Sequence, residues 1–336
     1  MRAMPRAILL LLLLVVACGP EGTASSPPTP TPAPEDEGSG PLRLYTSVSQ
    51  ETLDPVLAAF AETQPDVEVE LFRAPTGELN ARLAAERREG AIQADVLWLS
   101  DPLSMQAYAA DGLLRELDLG DAADAIPAEY RTDEFVGTAL LEVVIVHAPD
   151  LDPVPTAWED LTDPAYQDAV AIPDPGFAGS AFGALGWFAL EEGFGLEYYQ
   201  ALADNGAVQV QAPGEVITGV AEGRFAAGIS LAFSAQQAID DGSPLEVVYP
   251  EPGAIAVYSP VAIFESAADP AAAAALVEFL VTAEAQALIS ETSGNPPVRT
   301  DVDGAGGGGP QVSPDWQEVF GRQEELLEGY RAIFGG

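Results

Sequence analysis

Lysine is absent from the 336 residues, and cysteine and histidine occur once each. The thirteen basic residues are all arginine and face 53 acids, for a formal net charge of −40. Nucleic-acid binding draws its energy from basic side chains that neutralise phosphates, so nucleic acid is excluded as a partner. A single cysteine, Cys18, excludes an intrachain disulfide. A single histidine, His147, leaves one candidate for imidazole chemistry. Obvious internal repeats are lacking too. So large an acid excess fits a salty habitat, where counterions screen self-repulsion. It fits equally well an acidic surface selected for solubility.

The only long apolar run is Ala7 to Ala17, preceded by Arg2 and Arg6. It is too short to span a bilayer comfortably and matches a secretory signal. It ends in Val15-Val16-Ala17-Cys18-Gly19, which looks like a bacterial lipobox. Residues 1–17 are therefore expected to be a signal peptide, with Cys18 the lipid-modified new N-terminus. Residues 18–41 are rich in Pro, Thr, Ser, Gly and acids, and are expected to form a disordered tether. An exported chain, lipid-anchored at the cell surface or in the periplasm, follows.

From Leu42 the pattern alternates between strand and helix. Leu42–Tyr45, Val67–Phe72 and Ala94–Leu99 read as strands. Helices follow each: one through Leu53, Val56, Leu57 and Phe60, one from Thr76 to a stop at Gly90, and one opened by Asp101-Pro102. Thr76 is expected to cap the second, and Glu78 to support it through Arg82 four residues on. Further strands are expected at Leu140–Val146, Ala169–Ile172, Val208–Val210, Ala226–Leu231, Leu245–Tyr249 and Val257–Phe264. Helices are expected from Gly179-Ser180, around Leu196–Ala203 and Glu215–Glu222, over Ala271–Ile289, and after a cap at Ser313-Pro314-Asp315. The alternation indicates an α/β protein with mostly parallel sheets, and roughly 295 residues are enough for two lobes.

Ligands in such folds sit beyond the carboxyl ends of the strands. Four places there carry small hydroxylated or acidic residues: Thr46-Ser47, Thr76-Gly77, Ser100-Asp101 and Gly179-Ser180. The last three also start helices, whose free N–H groups and partial positive charge suit anions. Taken singly, each is more often only a cap; together they point to a site.

The stretches YTSVSQETLDPVLAAF, RAPTGELNARLAAE, ADVLWLSDP, PTAWEDLTDPAY, IPDPGFAGSA, EVVYPEPG, SPVAIF and GNPPVRTDV resemble bacterial solute-binding proteins that capture ligands for ABC importers. The subgroup resembled contains ferric-iron, aminoethylphosphonate, sugar-phosphate and thiamine binders. The resemblance covers nearly the whole chain from Leu42. It implies the two-lobed, type II periplasmic-binding-protein fold, with mostly parallel sheets joined by crossing hinge strands. The expected lobes are 42–138 plus 255–300 and 139–254 plus 301–336, in a monomer with one interlobe site, an ABC permease as partner and no cofactor. Ferric-iron members place their ligands at positions that correspond here to Ser49, Ser100 or Asp101, and Phe233-Ser234, so the adjacent tyrosines are missing there. Tyr198-Tyr199 lies in a helical stretch and reads as packing. Hydroxyls and helix starts suit a phosphonate or phosphate ester better, with Phe233 against the organic part. A ferric-iron or thiamine-compound binder is the alternative within the family.

Two readings of other classes remain. Gly228-Ile229-Ser230-Leu231-Ala232 faintly resembles a nucleophile elbow, and a serine hydrolase would need His147 to reach Ser230. A purely structural surface lipoprotein predicts no saturable ligand binding. The anchor itself is testable: Cys18→Ala should leave the chain uncleaved at this position or released, because the acylation point is gone. Acylation and membrane association of that variant would contradict the lipobox reading.

Overall fold

The computed structural model describes residues 40–304, 306 and 308–335. The expected signal peptide, Cys18 and nearly all of the tether lie outside the described residues. The chain begins with β1 (Leu42–Thr46), α1 (Gln50–Thr63), β2 (Val69–Arg73), α2 (Thr76–Glu89), β3 (Val96–Trp98) and α3 (Pro102–Ala110). The short α4 (Ala122–Ala125) precedes the long β4 (Phe135–His147). Then come β5 (Val170–Pro173), α5 (Gly179–Leu190), α6 (Gly195–Asp204), β6 (Val208–Val210), α7 (Pro213–Ala221), β7 (Ala227–Leu231), α8 (Ala232–Asp240) and β8 (Glu246–Val248). The chain closes with β9 (Ala254–Ile263), α9 (Pro270–Leu280), α10 (Ala283–Ser293), β10 (Gln311–Val312) and α11 (Trp316–Phe334).

The strands form one mixed sheet in the order β2-β1-β3-β9-β4-β7-β5-β6, with β10 beside β9 and β8 beside β4. β1 pairs parallel with β2 and β3, and β5 pairs parallel with β6 and β7. These are the two α/β lobes. Between them β4 and β9 run antiparallel, from Phe135 opposite Ala262 to Val143 opposite Ile255. The end of β9 pairs with β3, and the end of β4 pairs with β7, so the β4–β9 pair joins the two halves of the sheet. The parallel wings are as the strand–helix alternation predicts. The antiparallel ribbon carries the crossing.

A bulge interrupts this ribbon between Gly137 and Ala139, leaving Thr138 without an opposite number, as bulges do. Its hydroxyl is nevertheless fixed. Thr138 Oγ1 accepts from Trp98 Nε1 at 2.8 Å and donates to the Ser259 carbonyl at 2.9 Å. Gln286 Nε2, from α10, donates to the Thr138 carbonyl at 2.8 Å.

Three local expectations need correction. Thr76 is the first helical residue of α2, not its cap; Pro75 stands at the cap with no side-chain bond. Arg82 pairs with Glu86, not Glu78: Nε reaches Oε1 at 2.8 Å while the guanidinium lies 3.9 Å from the Phe72 ring centroid. Glu86 is the better partner because it is buried and already accepts from the Tyr45 hydroxyl at 2.8 Å. The expected helix over Ala271–Ile289 is two helices bent by 68°. Thr282 makes the break, donating back to the Phe279 carbonyl at 2.7 Å and accepting from the Ala285 N–H at 3.1 Å. Tyr198 and Tyr199 are buried on α6 among aromatic rings, and Tyr198 donates to the Trp158 carbonyl at 2.8 Å.

Helix α5 can lie this close to its neighbours because glycines face them. A Cβ on Gly183 would come within 2.4 Å of Val257 in β9, and one on Gly186 within 2.7 Å of Val319 in α11. Such contacts are overpacked. Gly321, inside α11, has nothing within 4 Å of its Cβ position. Gly183→Ala should therefore destabilise the chain by about 1–3 kcal/mol, whereas Gly321→Ala should stabilise it by about 0.5–1 kcal/mol through helix propensity alone. Denaturant unfolding of both variants checks the opposite signs.

Candidate ligand-binding site

The ends of β1, β2, β3 and β7 and the starts of α5, α7 and α8 surround one cavity of about 250 Å³. On one wall three hydroxyls form a triangle. Thr76 Oγ1, Ser47 Oγ and Ser100 Oγ are each 3.2 Å from the other two. The Ser100 N–H also donates to Ser47 Oγ at 2.9 Å. Local chain geometry explains the cluster. Ser47 directly follows β1, Thr76 starts the helix after β2, and Ser100 lies two residues beyond β3, so adjacent parallel strands set the three side by side.

Facing this triangle is the start of α5. Its cap residue is Ala178, which has no side chain to spend on the first-turn N–H groups. Those donors therefore stay open at the N-terminal, partially positive end. Gly179 is pressed against the other lobe: a Cβ there would lie 2.4 Å from Asp101 Oδ2 and 2.8 Å from both Ser100 Oγ and Thr76 Oγ1. Next to it, the Gly77 N–H donates to the Phe177 carbonyl at 3.0 Å, and a Gly77 Cβ would sit 2.8 Å from the Gly176 carbonyl oxygen. Two glycines thus let the lobes meet through backbone and hydroxyl groups.

Of the residues expected at the site, Ser47, Thr76, Ser100, Gly179, Ser180 and Phe233 line the cavity. Ser180 is buried, and its hydroxyl makes no hydrogen bond to another described residue. Thr46, Gly77 and Asp101 stand outside the lining. Thr46 is fully buried and its hydroxyl accepts from the Val48 N–H at 3.0 Å. Gly77 serves the lobe contact. Asp101 caps α3, its Oδ1 accepting from the Ser104 N–H at 2.8 Å.

Sequence reasoning missed Arg73. It ends β2, lines the cavity, and donates from Nε to the Val48 carbonyl at 2.8 Å. The strand-end rule that selects its neighbours would have found it. Ser259, Ile289, Ser293 and Asn295 also line the cavity. They arrive on β9 and around the end of α10, through a crossing that no local pattern announces. Altogether ten serine and threonine side chains, one arginine and one asparagine line the space, with no aspartate, glutamate, histidine or tyrosine.

The Ser230–His147 pair does not form. Ser230 lies opposite Val144 in the β4–β7 register, and His147 is three residues further along β4. An odd offset puts the two side chains on opposite faces. Ser230 Oγ donates to the Pro213 carbonyl at 3.0 Å, and His147 Nδ1 lies 2.8 Å from the Ala148 carbonyl oxygen.

Residues 42–292 match the family model for "Bacterial extracellular solute-binding protein". A protein of Salmonella paratyphi A named "Putative 2-aminoethylphosphonate-binding periplasmic protein" is 28% identical over 240 residues, 67% of this chain and 68% of that one. An uncharacterized protein of Haemophilus influenzae is 27% identical over 265 residues, 74% of this chain and 75% of that one. Among solved structures, the periplasmic binding protein of Actinobacillus pleuropneumoniae with exogenous fructose-6-phosphate superposes with a TM-score of 0.76 at 19% identity, covering 88% of this chain and 98% of that one. The apo ferric ion-binding protein A of Pasteurella haemolytica gives 0.74 at 19% identity, with 88% and 98% covered. These likenesses establish the two-lobed type II fold.

Burial gives Asp101 an unusual titration. It is fully buried, Oδ2 has no hydrogen-bond partner, and loss of solvation pushes its carboxyl up to about 6 from the ordinary 3.8. Between roughly pH 4 and pH 6 the folded chain keeps a proton that the unfolded chain releases, so stability falls as pH rises through that window. Asp101→Asn keeps an oxygen for the Ser104 N–H and carries no charge. Relative to this variant, the wild type should lose on the order of 2–3 kcal/mol between pH 4 and pH 6.5 and then level off. Thermal melts across the range check this; parallel curves for the two chains would show that Asp101 titrates as a solvated acid.

Proposed function

The chain belongs to the bacterial extracellular solute-binding proteins, and from that premise we propose that its cavity captures a small phosphorus oxyanion, an organophosphonate or phosphate ester, for delivery to the membrane permease of an ABC importer. The observation that carries this reading is the lining. In a chain with a net charge of −40, this cavity is lined by ten hydroxyl-bearing side chains and Arg73, and by no carboxylate. The protein's overall field repels an anion, so local donors must hold it: Arg73, the Ser47–Thr76–Ser100 triangle, Ser180, and the open N–H groups of α5. Salt screens the opposing field. Two of the similar proteins bear on the same chemistry, one named for 2-aminoethylphosphonate and one holding fructose-6-phosphate.

A ferric ion requires several anionic oxygens, and the lining offers no phenolate or carboxylate. Positions 49, 100 and 233–234 do face the cavity, as serine, serine, phenylalanine and serine, so the same geometric slots carry neutral groups. The chain is read as an exported, lipid-anchored monomer, with Cys18 as anchor. Its lobes, 42–138 plus 255–300 and 139–254 plus 301–336, would close about the ribbon at the Thr138 bulge. Turnover of the ligand has no place in this role.

Calorimetric titration with methylphosphonate, fructose 6-phosphate, a thiamine phosphate and ferric citrate tests the proposal. One-site saturable binding is expected for a phosphorus compound. A hydrogen bond to a charged group is worth about 1.5–3 kcal/mol, so Ser180→Ala and Arg73→Ala should each weaken binding roughly ten- to a hundredfold, with little change in ligand-free melting. Binding of the ferric salt alone, or of none of the four, would contradict it.

A further inference from the structure

The cavity has a second wall of different character. Ala139 and Leu141 from β4, Leu231 at the end of β7, Phe233 on α8, Pro213 on α7 and Ile289 on α10 present apolar surface to it. Phe233 is held by a dedicated contact. Gly294, which ends α10 in the left-handed region at φ 61°, would place a Cβ 2.2 Å from the Phe233 ring. The ring therefore lies against bare backbone, and its position depends on Gly294 remaining glycine.

Neutral dipoles interrupt this wall, but charges do not. Ser234, Ser293 and Asn295 reach the cavity, and Ser293 Oγ already accepts from the Asn295 N–H at 3.3 Å. The only ionised side chain in the lining is a cation, Arg73. Asp101 is no counter-ion for this end. It lies with Ser100 and Thr76 against Gly179, at the hydroxyl wall, wholly buried and tied to Ser104. An ammonium group drawn into the space beside Phe233 would lose its water, find no carboxylate, and share the cavity with a guanidinium. Burying an unpaired charge is among the costliest events in a protein interior.

We propose that the site selects phosphonates or phosphate monoesters whose organic group is uncharged and largely apolar, and that it discriminates against ligands bearing an ammonium group. This rests on the phosphorus-oxyanion reading above and narrows it. The chemistry departs from the 2-aminoethylphosphonate for which the Salmonella protein is named. The oxyanion would occupy the hydroxyl wall and the start of α5, and the organic group would lie over Phe233, Leu141 and Ile289.

The probes are n-propylphosphonate and 2-aminoethylphosphonate, which have the same length and differ by a methyl in place of an ammonium. Titration is done in about 1 M salt, where a Debye length of roughly 3 Å removes the pull of the acidic surface. Propylphosphonate should bind about tenfold tighter or more. Phe233→Ala should weaken propylphosphonate binding several-fold more than 2-aminoethylphosphonate binding, and so shrink that advantage. Equal or tighter binding of 2-aminoethylphosphonate would overturn the inference and leave the phosphorus-oxyanion reading standing. Failure of propylphosphonate, 2-aminoethylphosphonate, methylphosphonate and fructose 6-phosphate alike would overturn both.

Discussion

The antiparallel pairing of β4 with β9 is the constraint on which the cleft depends. β9 is hydrogen-bonded to β3 on one side and β4 to β7 on the other, so the two wings of the sheet are joined through this pair. The same two strands supply the cavity with Thr138, Ala139, Leu141 and Ser259. At the bulge, Trp98 from one lobe, the Ser259 carbonyl and Gln286 from α10 all meet Thr138. A bulge is where a ladder bends and twists. Its place beside the cavity couples the angle between lobes to the shape of the space between them.

Close approach across the cleft is achieved by leaving side chains out. Gly77 and Gly179 bring backbone to backbone and backbone to hydroxyl, where any Cβ would collide. The first-turn donors of α5 are thus brought opposite the Ser47–Thr76–Ser100 triangle without a basic residue at either place. That arrangement suits an acidic chain. Dipoles and hydroxyls act over a few ångströms, in a space whose lining holds no carboxylate, while the repulsive surface charge is distant and screened by salt. Asp101 is the exception at this contact, a buried acid held behind the triangle by its cap on α3.

The repeating strand–helix pattern made the α/β class legible, and the strand-end rule led to Ser47, Thr76, Ser100, Gly179 and Ser180 because parallel neighbours bring consecutive strand ends together. Arg73 obeys the same rule as the last residue of β2, but it starts no helix and so lacks the second signal that marks its neighbours. The break at Thr282 was hidden because an alanine-rich run carries a helical pattern straight through it. Helix α8 was hidden because it runs on directly from β7, with Leu231 at the cap position and no capping side chain to mark its start. Residues 289–295 join the cavity only because α10 turns back toward Thr138, a tertiary fact with no local signature. Thr76 shows the limit of capping rules. Its hydroxyl is directed to Ser47 and Ser100 rather than to its own helix.

A crystal structure with a bound alkylphosphonate is the most direct measurement of the central claim. The account places the phosphorus oxygens within hydrogen-bond distance of the Ser47–Thr76–Ser100 triangle, Ser180 and the first N–H groups of α5, with Arg73 beside them and the alkyl group over Phe233. A phosphonate seated elsewhere on the chain, or a cleft whose hydroxyl wall instead surrounds a cation, would contradict it.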